Sequence, residues 1–191
     1  MGEIIRTFIA IDIPESVLQA IAKVQDKLRR TGLGIRWVRP EGIHLTLKFL
    51  GDIEKGDVEK IHEAMKKAVQ IASPCTVRGE GLGVFPNFKR PRVLWVGLSG
   101  ELEMLVALQR ALDVQLKDLG FPREKRPFKG HLTLGRVKGR LDGNQLQRTL
   151  QRFEDFKTEG FTAEAVTFFQ SDLRPTGAVY TKLAEVELGS A

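Results

Sequence analysis

The sequence predicts an α+β fold of two pseudo-symmetric lobes, each a largely antiparallel sheet with helices on its outer side. Three observations predict it. The tetrapeptide HLTL occurs at 44–47 and again at 131–134, 87 residues later. The segments around the two copies alternate between strand-like and helix-like patterns in the same order. No stretch rich in Gly, Pro or Ser separates the copies, so we expect residues 1–191 to form a single bilobal domain with an internal repeat.

The first elements of each half correspond when the sequence is shifted by 87 residues. The short apolar runs FIAI (8–11) and WVGL (95–98) predict two strands. Apolar residues at helical spacing follow each run, in 14–30 and in 102–118, and predict two amphipathic helices. The HLTL strands come next in both halves.

The later elements match more loosely. Amphipathic helices are predicted at 57–71 and 143–156, with Asp57 and Asn144 as N-caps. Each half then ends in a strand, a turn containing Arg-Pro, and an alternating strand. The repeat therefore predicts a duplicated unit and approximate two-fold symmetry.

Composition narrows the class of protein. The net charge of +6 and the isoelectric point of about 9.6 favour partners that carry phosphate, such as nucleic acid, nucleotides or anionic lipid. The one cysteine, Cys75, excludes an internal disulfide and fits a reducing, cytoplasmic location. No segment approaches 18 apolar residues and no signal peptide is visible, so we expect a protein that does not enter a membrane. We also expect it to be a monomer.

The HLTL strands present two kinds of side chain on two faces. Alternate residues of a strand share a face, so His44 and Thr46 point one way while the leucines point the other. His131 and Thr133 follow the same rule. Leucines can anchor each strand in the core, and the approximate two-fold symmetry allows the His–Thr faces to meet across a central cleft.

Two histidines that flank one phosphorus atom can divide acid and base work. A neutral imidazole removes a proton from water, and a protonated one gives a proton to the departing oxygen. Threonine hydroxyls can donate hydrogen bonds to the phosphate oxygens. A cyclic phosphodiester suits this arrangement because its leaving oxygen stays tethered. The scheme needs no metal ion and no cofactor, and two histidines without nearby carboxylates make a poor metal site.

Other residues near the motifs are candidate substrate contacts. Arg136 can grip a phosphate bidentately, provided that a bulge at Gly135 turns it back towards the His–Thr face. Arg126 and Phe128 precede the second motif, and Phe88 lies with Phe85 in the basic loop GVFPNFKRPR; rings beside a phosphate site can stack a nucleobase. The third histidine, His62, lies in a predicted helix without a matching motif, which indicates a surface or packing role.

The paired His-x-Thr-x motifs resemble those of the 2H phosphoesterase superfamily. The resemblance is greatest to its 2′-5′ RNA ligase-like branch, the RNA 2′,3′-cyclic phosphodiesterases. It covers nearly the whole chain, in the segments RTFIAIDIP, WVRPEGIHLTLKFLGD, LWVGL, RPFKGHLTLGR and SDLRPTGAVYTKLAEVEL. One departure is Gly130, where the family often has Pro before the second histidine.

The resemblance implies hydrolysis of an RNA 2′,3′-cyclic phosphate to a 2′-phosphate end. His44 would be the proton donor to the leaving O3′, and His131 the proton acceptor that activates water. Thr46 and Thr133 would hold the phosphate, and Arg136 matches an arginine of the family. Composition and spacing alone leave the order of the two histidines open. The family name also implies a side activity, the reversible joining of a cyclic end to a 5′-hydroxyl.

Two further functions stay open at the level of sequence. The same basic groove would suit a non-catalytic RNA-binding module, and the same histidines would suit a phosphodiesterase for small cyclic nucleotides. Fragments of tRNA are a further candidate substrate. Replacement of either histidine distinguishes the enzyme from the binding module, because only the enzyme would lose turnover while it still bound RNA.

Overall fold

The structure, a computed structural model, describes residues 2–175 and 177–189, which form four α-helices and nine β-strands. Two short 3-10 helices, Pro40–Gly42 and Lys55–Asp57, lie between these elements. In chain order the elements are β1 (Ile4–Ile11), α1 (Glu15–Arg29), β2 (Ile35–Trp37), β3 (Leu45–Glu54), α2 (Val58–Val69), β4 (Cys75–Phe85), β5 (Val93–Gly100), α3 (Leu102–Lys117), β6 (His131–Val137), α4 (Gly143–Gln151), β7 (Lys157–Ala163), β8 (Ala165–Arg174) and β9 (Gly177–Glu187).

All strands belong to one curled antiparallel sheet. Eight of them follow the order β7-β4-β5-β6-β3-β1-β8-β9, and β2 pairs separately with β6. The two HLTL strands, β3 and β6, therefore lie side by side at the centre, with three further strands on either flank. The predicted fold class, α+β with two antiparallel lobes and the paired motif strands between them, is confirmed.

The lobes do not coincide with the two halves of the sequence. The last strand of the first half, β4, pairs with β5 of the second half. In return β8, from the second half, pairs with β1 of the first. The lobe of β2, β4, β5, β6 and β7 thus contains two strands of the first half, β2 and β4, and the lobe of β1, β3, β8 and β9 contains two strands of the second half, β8 and β9.

The two faces of the sheet differ in what covers them. The helices pack on one face over the main core, which includes Ile9, Leu45 and Leu132 at 0% exposure. The opposite face carries a separate small cluster, in which Phe8, Ala10 and Phe169 pack with the half-buried Tyr180. We call this second face the cleft face. It is the face that presents the motif histidines.

Several details differ from the sequence-based expectations. The helix predicted to reach 156 ends at Gln151, and its N-cap is Asp142, whose carboxylate accepts a hydrogen bond from the Asn144 amide. The predicted cap Asp57 stands at the N-cap position but makes no side-chain cap bond. Strands β2 and β7 were not predicted. Among the described residues, no helix has the length and apolarity that a membrane crossing requires.

Candidate active site

The two HLTL strands meet through a single residue pair. Leu45 of β3 is the register partner of Leu132 of β6, and both side chains are fully buried in the helix-side core. The same antiparallel register, carried one residue either way, sets His44 opposite Thr133 and Thr46 opposite His131. Residues opposite each other share a face, so this register puts each histidine across from the threonine of the other motif, on the cleft face. Diagonal neighbours such as the two histidines lie about 7–8 Å apart in this geometry.

A β-bulge follows each motif and changes which side chains reach the cleft. In β6, Thr133 pairs with Trp95 but Gly135 pairs with Leu94, which leaves Leu134 as the extra residue. Gly135 faces the core, because a Cβ there would come within 2.5 Å of the buried Ile35 side chain. Arg136 consequently returns to the cleft face, as the bulge expected at this position requires.

The bulge in β3 has the same form. Thr46 pairs with Ala10 but Lys48 pairs with Ile9, so Leu47 is the extra residue. Lys48 is buried on the core side, and the next residue, Phe49, lies on the cleft face beside Phe8, with 6.1 Å between ring centroids. Phe49 and Arg136 are 87 residues apart and therefore occupy equivalent positions in the two half-sites.

The His44 ring is enclosed by aromatic rings. It stacks on Phe8 at 4.5 Å with an interplanar angle of 25°, and the edge of Tyr180 meets it at 5.1 Å. The imidazole donates a hydrogen bond to the backbone carbonyl of Gly42, and the carboxylate of Asp12 is the neighbouring charge. This surrounding fixes the ring plane while it removes most of the water around it.

The surroundings of His131 are aromatic and positively charged. Its Nδ1 lies 2.7 Å from the backbone oxygen of Lys129, so the neutral ring donates from Nδ1 and keeps Nε2 free to accept a proton. Phe85 meets the ring edge-on at 4.9 Å. The Lys129 ammonium lies 4.7 Å from the centroid of the Trp95 ring and 5.4 Å from that of Phe85. A Cβ at Gly83 would collide with the Trp95 indole at 2.2 Å, which explains the glycine there.

Burial lowers the pKa of both histidines, but the neighbouring charges differ in sign. Desolvation lowers the pKa of His44 to about 4, against the raising effects of the Gly42 hydrogen bond and the Asp12 charge. Desolvation also lowers the pKa of His131; the Lys129 carbonyl raises it, and the cations Lys129 and Arg136 lower it further. The free protein therefore holds both imidazoles neutral at pH 7.

The predicted substrate contacts differ in how near they lie to the two histidines. Arg136 is exposed and close enough to influence the pKa of both His131 and Tyr180. Arg126 lies exposed in the loop that leads to β6, and its backbone amide bonds Glu124. Phe128 and Phe88 both pack, half-buried, against the main core. Of the two rings in the basic loop it is Phe85, not Phe88, that contacts His131.

Phe49 is one of the cleft residues that the sequence reasoning missed. Its side chain is 67% exposed although it is a large apolar ring beside His44 and Phe8. The stretch HLTLKFLGD predicts a buried phenylalanine, because strict alternation from His44 puts Phe49 on the side of the leucines. The only signal that could have found it is the repeat itself, since position 49 corresponds to Arg136.

The fold and the site together define a protein with two His–Thr half-sites joined at the centre of a duplicated antiparallel sheet. The model of the LigT-like phosphoesterases matches the chain twice, at residues 11–95 and 96–180. The chain belongs to this family. The two matched segments also agree with the internal repeat that the HLTL spacing predicted.

Curated relatives match along almost the full chain. An RNA 2′,3′-cyclic phosphodiesterase of Methanothermobacter thermautotrophicus is 32% identical over 94% of this chain and 96% of its own length. One of Methanocaldococcus jannaschii is 34% identical over 94% of this chain and 99% of its own. Among solved structures, TT0787 of Thermus thermophilus has a TM-score of 0.79 at 27% identity, covering 96% of this chain and 98% of its own. E. coli LigT has the same fold, with a TM-score of 0.75 at 22% identity, covering 99% and 100% of the two chains.

Proposed function

We propose that this protein hydrolyses the 2′,3′-cyclic phosphodiester at the end of an RNA to a 2′-phosphomonoester. The observation that carries the proposal is the Leu45–Leu132 pairing, whose register puts His44 opposite Thr133 and His131 opposite Thr46. Membership in the phosphoesterase family and the name shared by the curated relatives support the chemistry and the RNA substrate.

In the proposed reaction water attacks the phosphorus while the bond from phosphorus to O3′ breaks. His131 accepts the proton of the water through Nε2, which its hydrogen bond to the Lys129 carbonyl leaves free. His44 gives its proton to O3′, which departs as a hydroxyl and stays on the ribose. Thr46, Thr133 and Arg136 stabilise the negative charge that grows on the non-bridging oxygens.

The surrounding charges favour this order of roles. Asp12 stabilises a protonated His44, whereas Lys129 and Arg136 oppose a proton on His131. Burial acts against a protonated His44 and holds its pKa at about 4 in the free protein. We infer that the bound phosphodiester, itself an anion, raises the pKa of His44, so that the acid becomes charged only when substrate is present.

The exposed ring of Phe49 supports a nucleotide rather than a simple phosphate ester as substrate. It lies on the cleft face at the position equivalent to Arg136, where it can stack a base while the arginine holds the phosphate. If a 5′-hydroxyl replaces water as the nucleophile, the same steps join it to the phosphorus, release O3′ and form a 2′-5′ linkage; the reverse of this reaction cleaves such a linkage. We propose this ligation as a side activity, because water is present at far higher concentration.

The decisive experiment uses an oligoribonucleotide that ends in a 2′,3′-cyclic phosphate. We expect His44→Ala and His131→Ala each to slow hydrolysis by about 10²-fold or more, with EDTA present throughout and RNA binding retained. His62→Ala is the matched control, since His62 lies on α2 away from the cleft face. The product should carry a 2′-phosphate and a 3′-hydroxyl. Equal rates for wild type and both cleft variants would contradict the proposal and leave a non-catalytic RNA-binding module.

A further inference from the structure

An arginine that the proposed chemistry does not use lies next to Arg136. Arg36 of β2 is the direct register partner of Arg136 of β6. Its strand neighbour Ile35 is buried in the main core, so Arg36 faces the cleft. Directly opposite residues of an antiparallel pair have Cβ atoms about 4.5–5.5 Å apart, so the two guanidinium groups start from almost the same place.

No carboxylate among the described residues neutralises this pair. Among residues 2–175 and 177–189, the guanidinium groups of Arg36 and Arg136 make no ion pair with a carboxylate and no side-chain hydrogen bond. Like charges directly opposite each other destabilise a sheet. An arrangement that costs stability in the free protein is explained by an anion that binds between or along the two side chains.

The positive charge continues outward along the same strand. Lys138 follows Val137, whose register partner is the buried Ile35, so Lys138 lies on the same side as Arg136. Its backbone amide donates to the oxygen of Gly34, which extends the β2–β6 pairing by one more residue. Arg136, Arg36 and Lys138 form a basic strip that leads from the reacting site towards the end of β6.

The strip is confined to one half-site. No described strand pairs with β3 as β2 pairs with β6. The equivalent segment of the second half, 122–124, is a loop, and its Pro122 carbonyl accepts a hydrogen bond from Lys48. The pseudo-symmetry is therefore broken where a second anion would bind. A strand of RNA that leaves the site along this side would bring its next phosphate to the strip.

We propose that Arg36 binds the 5′-phosphate of the terminal nucleotide, so that the protein selects polynucleotide ends over free nucleoside cyclic phosphates. This inference rests on the proposed function and specifies its substrate class. Neighbouring phosphates of one strand are separated by a single ribose. Arg36 starts one strand away from Arg136, about 4.8 Å across the sheet, and its long side chain can reach a phosphate next to the one that Arg136 holds.

The test compares three substrates: adenosine 2′,3′-cyclic phosphate with a 5′-hydroxyl, the same nucleotide with a 5′-phosphate, and a dinucleotide with the same cyclic end. In wild type we expect kcat/KM to be about tenfold higher for the second and third substrates, because both carry the phosphate that Arg36 contacts. Arg36→Gln should reduce this preference towards one, mainly through KM, and Arg36→Lys should keep part of it.

Arg148→Gln is the matched control, because Arg148 is an exposed arginine on α4. Its preference among the three substrates should equal that of wild type. Arg36→Gln should melt at or above the wild-type temperature, since it removes a repulsion. An equal loss on all three substrates, a lower melting temperature, or a wild type without preference would each overturn the role of Arg36. Failure of wild type to hydrolyse any of the three would instead overturn the proposed function.

Discussion

At the scale of residues, the two half-sites are alike in architecture and unlike in charge. Each histidine ring donates a hydrogen bond to the backbone carbonyl two residues earlier, of Gly42 and of Lys129, and these positions are again 87 residues apart. The neighbouring charges differ, with Asp12 beside His44 and two cations beside His131. In the proposed reaction, these surroundings rather than the motif would make one half-site the acid and the other the base.

The lowered pKa values predict that kcat/KM and kcat respond differently to pH. The profile of kcat/KM reports the free protein, and the pKa of His44 there is about 4 while that of His131 lies below its usual 6.5. We expect its optimum in the acid range, falling as pH rises towards 7. Bound phosphate stabilises the imidazolium and raises the pKa, so the kcat profile should shift to higher pH. Initial rates across pH 4–8 measure both; profiles that coincide would contradict the charging of His44 by substrate.

The motif residues could be predicted because alternation along a strand is a local pattern. Phe49 was missed because the β3 bulge is set by pairing with a distant strand. Alternation over four residues was sufficient to put His44 and Thr46 on one face. Leu47 then adds a residue that no partner matches, so Lys48 turns to the core and Phe49 to the cleft. The bulge depends on the pairing of β3 with β1, whose flanking register pairs Ala10–Thr46 and Ile9–Lys48 are 36 and 39 residues apart in sequence, so it leaves no local trace.

At the scale of elements, a buried ion pair holds the first motif strand to α3. The Lys48 ammonium contacts the Asp113 carboxylate and donates to the Pro122 carbonyl at 2.6 Å. Gln109 Nε2 and the Glu124 amide donate to the second oxygen of Asp113. Burial alone would raise the pKa of Asp113, but these hydrogen bonds and the Lys48 charge lower it. Lys48 follows the β3 bulge directly, so the ion pair fixes the position of that bulge.

Removal of one partner of this ion pair should lower the free energy of unfolding much more than removal of both. Lys48→Met leaves a buried carboxylate without its cation, and we expect a loss of about 3–5 kcal/mol in the free energy of unfolding. Lys48→Met combined with Asp113→Leu should recover most of this loss, because no buried charge remains. Urea denaturation of wild type, both single variants and the double variant forms a complete cycle. Additive losses would show that the two side chains do not interact.

The second motif strand is fixed by an uncharged side chain instead. Gln25 of α1, fully buried, donates from Nε2 to the oxygens of Val38 and Leu134, each at 2.9 Å. Leu134 is the extra residue of the β6 bulge, and its oxygen also accepts from the Val38 amide. These bonds attach α1 to the bulge that directs Arg136. The helical pattern predicted α1 but could not predict this bond, which spans 109 residues.

At the scale of the whole molecule, the exchange of β4 and β8 joins the two repeats. Periodicity predicted that these segments are strands, but a strand pattern does not specify its partner. Either assignment, within its own repeat or across to the other, leaves the same residues buried. The observed pairing puts β4 beside β5 and β8 beside β1, so neither lobe is complete without the other repeat.

This exchange predicts that residues 1–191 unfold as one cooperative unit, because the loss of either repeat removes a strand from both lobes. The only two tryptophans report on different places: Trp95 lies in β5, and Trp37 of β2 packs under Arg29 of α1, 5.6 Å from its ring. In Trp37→Phe and in Trp95→Phe, the remaining fluorescence and the far-UV circular dichroism should give one urea midpoint within each variant. Separate midpoints for the two signals in either variant would mean that the lobes unfold independently, despite the strands that they share.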